Sequence, residues 1–67
     1  MYIEIFNMRL TEARKKAGYT QSEAAAELNI PRSTLANYEI GRTEPDIETL
    51  CKLIDLYKVN AIWILGT

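Results

Sequence analysis

Arg32, Ser33, Thr34 and Asn37 crowd into one short stretch, with Gln21 before it and Arg42 after it. Side chains of these types recognise other groups by hydrogen bonding, without titrating near neutral pH. Arg32 carries a planar fork of donors that fits O6 and N7 of a guanine. Asn37 has a carboxamide that can pair with N6 and N7 of an adenine, or simply face solvent. Ser33 and Thr34 can donate to a phosphate or a base edge, and a threonine methyl can touch a thymine methyl. Acid–base chemistry is poorly served by comparison. The 67 residues contain no histidine, which removes Ser/His/Asp triads, His-based proton transfer and His-ligated metal sites together. No serine or cysteine has a base partner at a recognisable spacing. The chain therefore reads as a non-enzyme, without a metal, a cofactor or an evident small-molecule ligand.

The recognising residues need a scaffold, and the punctuation of the sequence supplies one. Phe6, Leu10, Ala13 and Ala17 recur at helical spacing and predict a first helix from about Ile5 to Ala17. Gly18 follows as a left-handed stop behind Lys15 and Lys16, cations that suit a helix C-terminus. Thr20 and Glu23 form a capping-box pattern and start a second helix over Gln21 to Leu28. Asn29, tolerant of positive φ, ends it. Pro31 introduces a third helix from about Arg32 to Glu39, closed by Gly41. Asp46 caps a fourth over Ile47 to Tyr57, with Ile47, Leu50, Cys51, Ile54 and Tyr57 or Val59 predicted inward. Asn60 caps a short fifth over Ala61 to Leu65, and Gly66 stops it. Tyr2 to Ile5 alternate like a strand but are too few for a sheet. The expectation is one all-α domain over residues 1–67, with five helices.

Ala25 falls where helices two and three would cross, and only a small side chain permits a close approach there. Leu28, Ile30, Leu35 and Tyr38 would wedge between those helices. The first turn of helix three points free N–H groups and a positive dipole end outward, an arrangement that favours phosphate oxygens.

Composition bounds the setting. Hydrophobic residues make up 48% of the chain, enough for one compact core. The net charge of −1 is polarised. The segment from Arg9 to Arg42 holds six basic and four acidic residues, a net +2, and the remainder carries −3. Cys51, alone, can form no intrachain disulfide, which fits a cytoplasmic location. The N-terminal segment carries Glu4 and no basic run, so it does not read as a signal peptide. No apolar run approaches the ~20 residues of a membrane span.

"TQSEAAAELNIPRSTLANYE" is a helix-turn-helix pattern, with Asn29 in the turn where glycine is commoner. With "RLTEARKKAGYTQSEAA" before it, "NYEIGRTEPDIETLCKLIDLYKVN" after it and "IWILGT" at the end, the chain resembles the lambda-repressor-like family, the XRE/Cro group of bacterial and phage regulators. The resemblance covers almost the whole sequence. It implies double-stranded DNA binding, with the third helix in the major groove and a role in transcription regulation, as a repressor or another regulator. Residue by residue, it implies base-facing or phosphate-facing places for Arg32, Ser33, Thr34 and Asn37. It implies that Gln21 touches a phosphate and buttresses the first base-reading side chain. It also implies that Ile40, Gly41, Arg42 and Thr43 form a phosphate-contacting loop. Arg14 and Glu39 hold the family positions of a structural ion pair.

Two readings follow. The first is a sequence-specific regulator. The second is a protein-interaction module on the same fold, such as an antitoxin-like or adaptor protein with weak or secondary DNA binding; the acidic balance is its motive. A regulator with so few basic residues would gain from pairing on a palindromic operator. A weak homodimer is expected through a C-terminal patch of Ile62, Trp63 and Leu65, helped by Tyr2 and Ile3. Alternatively, Trp63 caps the core and pairing comes from elsewhere.

Overall fold

The computed structural model describes residues 2–66 and the side chains of residues 5–66. Five helices follow one another: α1 (Tyr2–Ala17), α2 (Gln21–Leu28), α3 (Arg32–Ile40), α4 (Ile47–Tyr57) and α5 (Ala61–Leu65). No strand occurs among the described residues. The alternating start of the chain is helical, so α1 begins at Tyr2 rather than near Ile5. Local alternation over so few residues gives a strand nothing to pair with, and helix prevails.

The helix boundaries are set by side chains that satisfy end groups. Thr20 Oγ1 accepts from the Glu23 amide at 3.0 Å, and the Thr20 amide donates to Glu23 Oε1 at 2.9 Å. Asn29 ends α2 in the left-handed conformation, φ 60°. Pro31 caps α3 with backbone alone; no side chain accepts from its first turn. Asp46 Oδ1 accepts from the Thr49 amide at 2.9 Å and begins α4. Hydrogen bonding from the Thr49 side chain first and then from its amide, with a smaller contribution from Lys52, holds the Asp46 carboxyl below the usual carboxylate range. Asn60 Oδ1 accepts from the amides of Ile62 and Trp63 to begin α5.

Leu10, Leu35, Leu53 and Ile64 are the largest fully buried side chains, one each from α1, α3, α4 and α5. Ala24 and Ala25 are both buried where α2 approaches α3, beside Leu28, Leu35 and Tyr38. Phe6 and Ala13 of α1 complete that side of the core.

Three inward assignments change. Ala17 is exposed at the C-terminal end of α1, one turn past the buried Ala13. On α4 the buried residues are Leu53 and Tyr57, flanked by the partly buried Leu50, Ile54 and Leu56. Cys51 is exposed and Ile47 is 75% exposed. Cys51 lies two residues from Leu53, about 200° around a helix, so the two cannot share a face.

Tyr57 is buried with its hydroxyl unbonded. Burial first, and then the Glu39 charge, push its phenol up to about 12, against a smaller opposing pull from Arg14. An orphan buried hydroxyl costs on the order of 1–3 kcal/mol. Tyr57→Phe is therefore expected to raise stability by about 1 kcal/mol in urea titrations at pH 7. The folded state also holds the Tyr57 proton more tightly than the unfolded state, whose phenol ionises near 10. This group's contribution is thus intact below pH 10 and is lost as the pH climbs through about 12. The advantage of Tyr57→Phe should widen over that interval; a constant gap would contradict the assignment.

Candidate nucleic-acid interface

α3 has a buried side and an open side. Leu35 and Tyr38 face the core. Arg32 and Ser33 are exposed, and Thr34 and Asn37 are half-buried. Pro31 offers no side-chain acceptor and its carbonyl takes the Thr34 amide, so the first turn of α3 keeps the Arg32 and Ser33 N–H groups and the positive dipole end. That end is chemically suited to an oxyanion.

Arg32 does not swing freely from this surface. Its Nη1 donates to Gln21 Oε1 at 3.0 Å. Gln21 Nε2 in turn donates to Glu39 Oε1 at 3.0 Å. Glu39 is held from below by Arg14, whose Nε donates to Oε2 at 2.8 Å and Nη2 to Oε1 at 3.2 Å. Arg14 Nη1 completes its fork on the Tyr19 carbonyl at 2.9 Å. The Arg14 and Glu39 side chains are 10% and 4% exposed. An ordered chain of hydrogen bonds thus runs from a buried ion pair in the body of the domain to an exposed guanidinium at the start of α3. A bidentate Arg–carboxylate pair is strong and fixed in orientation. It also turns the charge of Glu39 inward, where an exposed acid would repel phosphate.

The turn after α3 is built differently. The Gly41 amide donates to the Tyr38 carbonyl at 3.3 Å. The Arg42 amide donates to the Asn37 carbonyl at 2.9 Å, and the Thr43 amide reaches the same oxygen at 3.5 Å. These amides close the C-terminus of α3, so the turn offers an anion the side chains of Arg42 and Thr43, both exposed. Ile40 contributes a 68% exposed apolar side chain.

On α5, Trp63 is half-buried and packs on the core. The Arg9 guanidinium lies 5.0 Å from its ring centroid, and Arg9 Nη1 donates to its carbonyl. Trp63 therefore joins α5 to α1 and is not the exposed centre of an apolar patch. The open apolar surface there belongs to Ile62 and Leu65, 63% and 40% exposed. The side chains of Tyr2 and Ile3 lie outside the described residues. Among those described, no group of three or more potential ligands is placed to hold a metal ion, and no helix is long and apolar enough to cross a membrane.

Residues 10–64 match the helix-turn-helix family HTH_3. The chain belongs to this family. Its five helices and strandless core have the lambda-repressor-like form of XRE-type members. Several relatives are proteins of Bacillus subtilis (strain 168). The HTH-type transcriptional regulator ImmR is 55% identical over 58 residues, 87% of this chain and 46% of the relative. The HTH-type transcriptional regulator AnsR is 41% identical over 58 residues, 87% of this chain and 50% of the relative. An SPbeta prophage-derived uncharacterized HTH-type transcriptional regulator, YonR, is 39% identical over 61 residues, 91% of this chain and 56% of the relative. The chain thus spans about half the length of these relatives.

Sequence reasoning missed two contacts of α1. One is that of Arg9, counted as a basic residue of the positive segment but committed to Trp63. The other is the contact between Asn7 of α1 and the turn at Gly41. For the second, the glycine itself was the available signal.

Proposed function

We propose that this chain is the DNA-binding domain of a transcriptional regulator, a repressor or related type, working in the cytoplasm and reading the major groove with α3. The observation that carries the reading is the hydrogen-bonded chain Arg14–Glu39–Gln21–Arg32. A surface arginine of no special role gains nothing from being tethered to a buried ion pair. One that must meet a base edge gains a restricted orientation, and less conformational entropy is lost on binding. Around it, Ser33, Thr34 and Asn37 supply further base or phosphate contacts. Gln21, Arg42 and Thr43 track the backbone, which fixes register and carries no sequence information of its own. The names of the relatives, transcriptional regulators all, agree with this reading.

Random-site selection with duplex DNA tests it, followed by titration of the selected site across a salt series. Enrichment of one sequence whose affinity falls with salt supports the reading. A pool that stays random, with partner proteins retained instead, would favour the protein-interaction alternative suggested by the net charge of −1.

The selected site is expected to be a palindrome, with half-sites one helical turn apart, ~34–36 Å. A weak homodimer on that site adds the binding energies of two domains that are each poor in basic residues. We assign its apolar contact to the exposed Ile62 and Leu65, with Trp63, packed on the core behind them, as support. Leu65→Glu should abolish cooperative occupation of the two half-sites while leaving single half-site affinity in place. Unchanged cooperativity would move the contact elsewhere.

A further inference from the structure

We propose that Asn7 is a further DNA-backbone ligand, donating through Nδ2 to the phosphate that meets the Gly41–Arg42 turn. The inference rests on the DNA-binding reading above. Asn7 stands on α1 two turns before Arg14, on the same side of the helix. Its side chain reaches the turn itself: a Cβ built on Gly41 would overlap Asn7 Nδ2.

The glycine answers two demands at once, a left-handed backbone and the side chain pressed against it. Gly41 has φ 80°, while Asn29 and Lys58 adopt positive φ elsewhere in the chain at 60° and 58°. What separates position 41 is the carboxamide pressed against it. At Gly18, where φ is also positive, an added Cβ would meet open space. The fold therefore brings one polar group of α1 against the turn that carries Arg42.

That group has unused capacity. The Asn7 side chain is half-exposed and forms no hydrogen bond with any described residue. Its backbone carbonyl alone accepts a side-chain donor, Thr11 Oγ1 at 3.3 Å. The turn has the opposite shortage, since the amides of Gly41 and Arg42 are spent on closing α3. A phosphate approaching this turn finds the Arg42 guanidinium but neither of those two N–H groups. Asn7 Nδ2 supplies a neutral donor at that place, and contact with the turn fixes its position before DNA arrives.

The test uses the full chain and its selected duplex, with uncharged methylphosphonate introduced at one backbone position at a time. Asn7→Ala is expected to weaken binding about tenfold to a hundredfold on specific and random duplexes alike, the range for a hydrogen bond to a charged group. It should also erase the penalty for neutralising one particular phosphate. Asn7→Asp should bind more weakly still, because like charges then meet. Alanine is the better helix former, so the melting temperature of Asn7→Ala should not fall. Wild-type affinity in Asn7→Ala, or a methylphosphonate profile identical to that of the wild type, would overturn the proposal. If the wild type binds no duplex at all, the DNA-binding reading fails and this inference falls with it.

Discussion

Glu39→Ala is expected to destabilise the domain by about 3–5 kcal/mol, the cost of leaving a buried charge without its partner. Arg14 is 8% exposed and would keep its charge with only the Tyr19 carbonyl as acceptor. Gln21 would lose its acceptor as well. A chain of 67 residues is stable by roughly 3–10 kcal/mol in all. The variant should therefore melt far below the wild type or be substantially unfolded at 37 °C. Arg14→Ala should behave similarly, and the double variant should cost less than the two single losses combined. Glu39→Gln, which keeps an acceptor and the side-chain volume, should fall between. Thermal melts followed by circular dichroism decide the matter. An unchanged melting temperature in Glu39→Ala would mean that the pair is open to water in solution.

The same pair connects stability with recognition. Losing Glu39 would also free Gln21, and with it the orientation of Arg32. Affinity for DNA measured on that variant would mix unfolding with loss of orientation. Gln21→Ala separates them. It leaves the bidentate Arg14–Glu39 contact in place and removes the Gln21 hydrogen bond to Glu39 together with the link to Arg32. It should therefore melt close to the wild type while binding its site less tightly.

Much of this architecture was legible in the sequence because its short helices are begun and ended by unambiguous side chains. Thr20 with Glu23, Asp46 and Asn60 each satisfy amides that would otherwise be orphaned. Asn29, Gly41 and Gly66 each take the left-handed conformation at a helix end. The inward face of α4 was harder. Ile47, Leu50, Cys51, Leu53, Ile54, Leu56 and Tyr57 are too many apolar residues for one stripe. Periodicity then admits more than one face, and contact with α1 and α2 selects the one centred on Leu53. The polar surface was less legible still. Residue types nominated Arg32 and Asn37, and family resemblance nominated Gln21, Arg14 and Glu39. The continuous hydrogen-bonded chain depends on how α1, α2 and α3 pack, which no local pattern specifies. Arg9 shows the same limit: its charge is plain in the sequence, its commitment to Trp63 is not.

Arg32→Ala is expected to lose about 1–3 kcal/mol on the selected site, about fivefold to over a hundredfold in affinity, and to relax base preference at one position of each half-site. Guanine is the base expected there, because the guanidinium fork matches O6 and N7 together. In the unbound domain Nη1 is engaged with Gln21, and the other terminal nitrogen and Nε remain to meet the base. Arg32→Lys should restore little, since a point charge on a flexible stem cannot make the paired contact. Arg42→Ala is the control. Its side chain lies on the turn, beyond the reach of the hydrogen-bonded chain, and it should weaken specific and random DNA by the same factor while lowering the salt dependence by about one phosphate contact. The two variants are compared by repeating site selection on each. Loss of preference at a single position for Arg32→Ala, against an unaltered consensus for Arg42→Ala, assigns readout to the first and positioning to the second. If Arg32→Ala instead loses equally on selected and random duplexes, its guanidinium contacts only phosphate, and base discrimination must be sought in Ser33, Thr34 and Asn37.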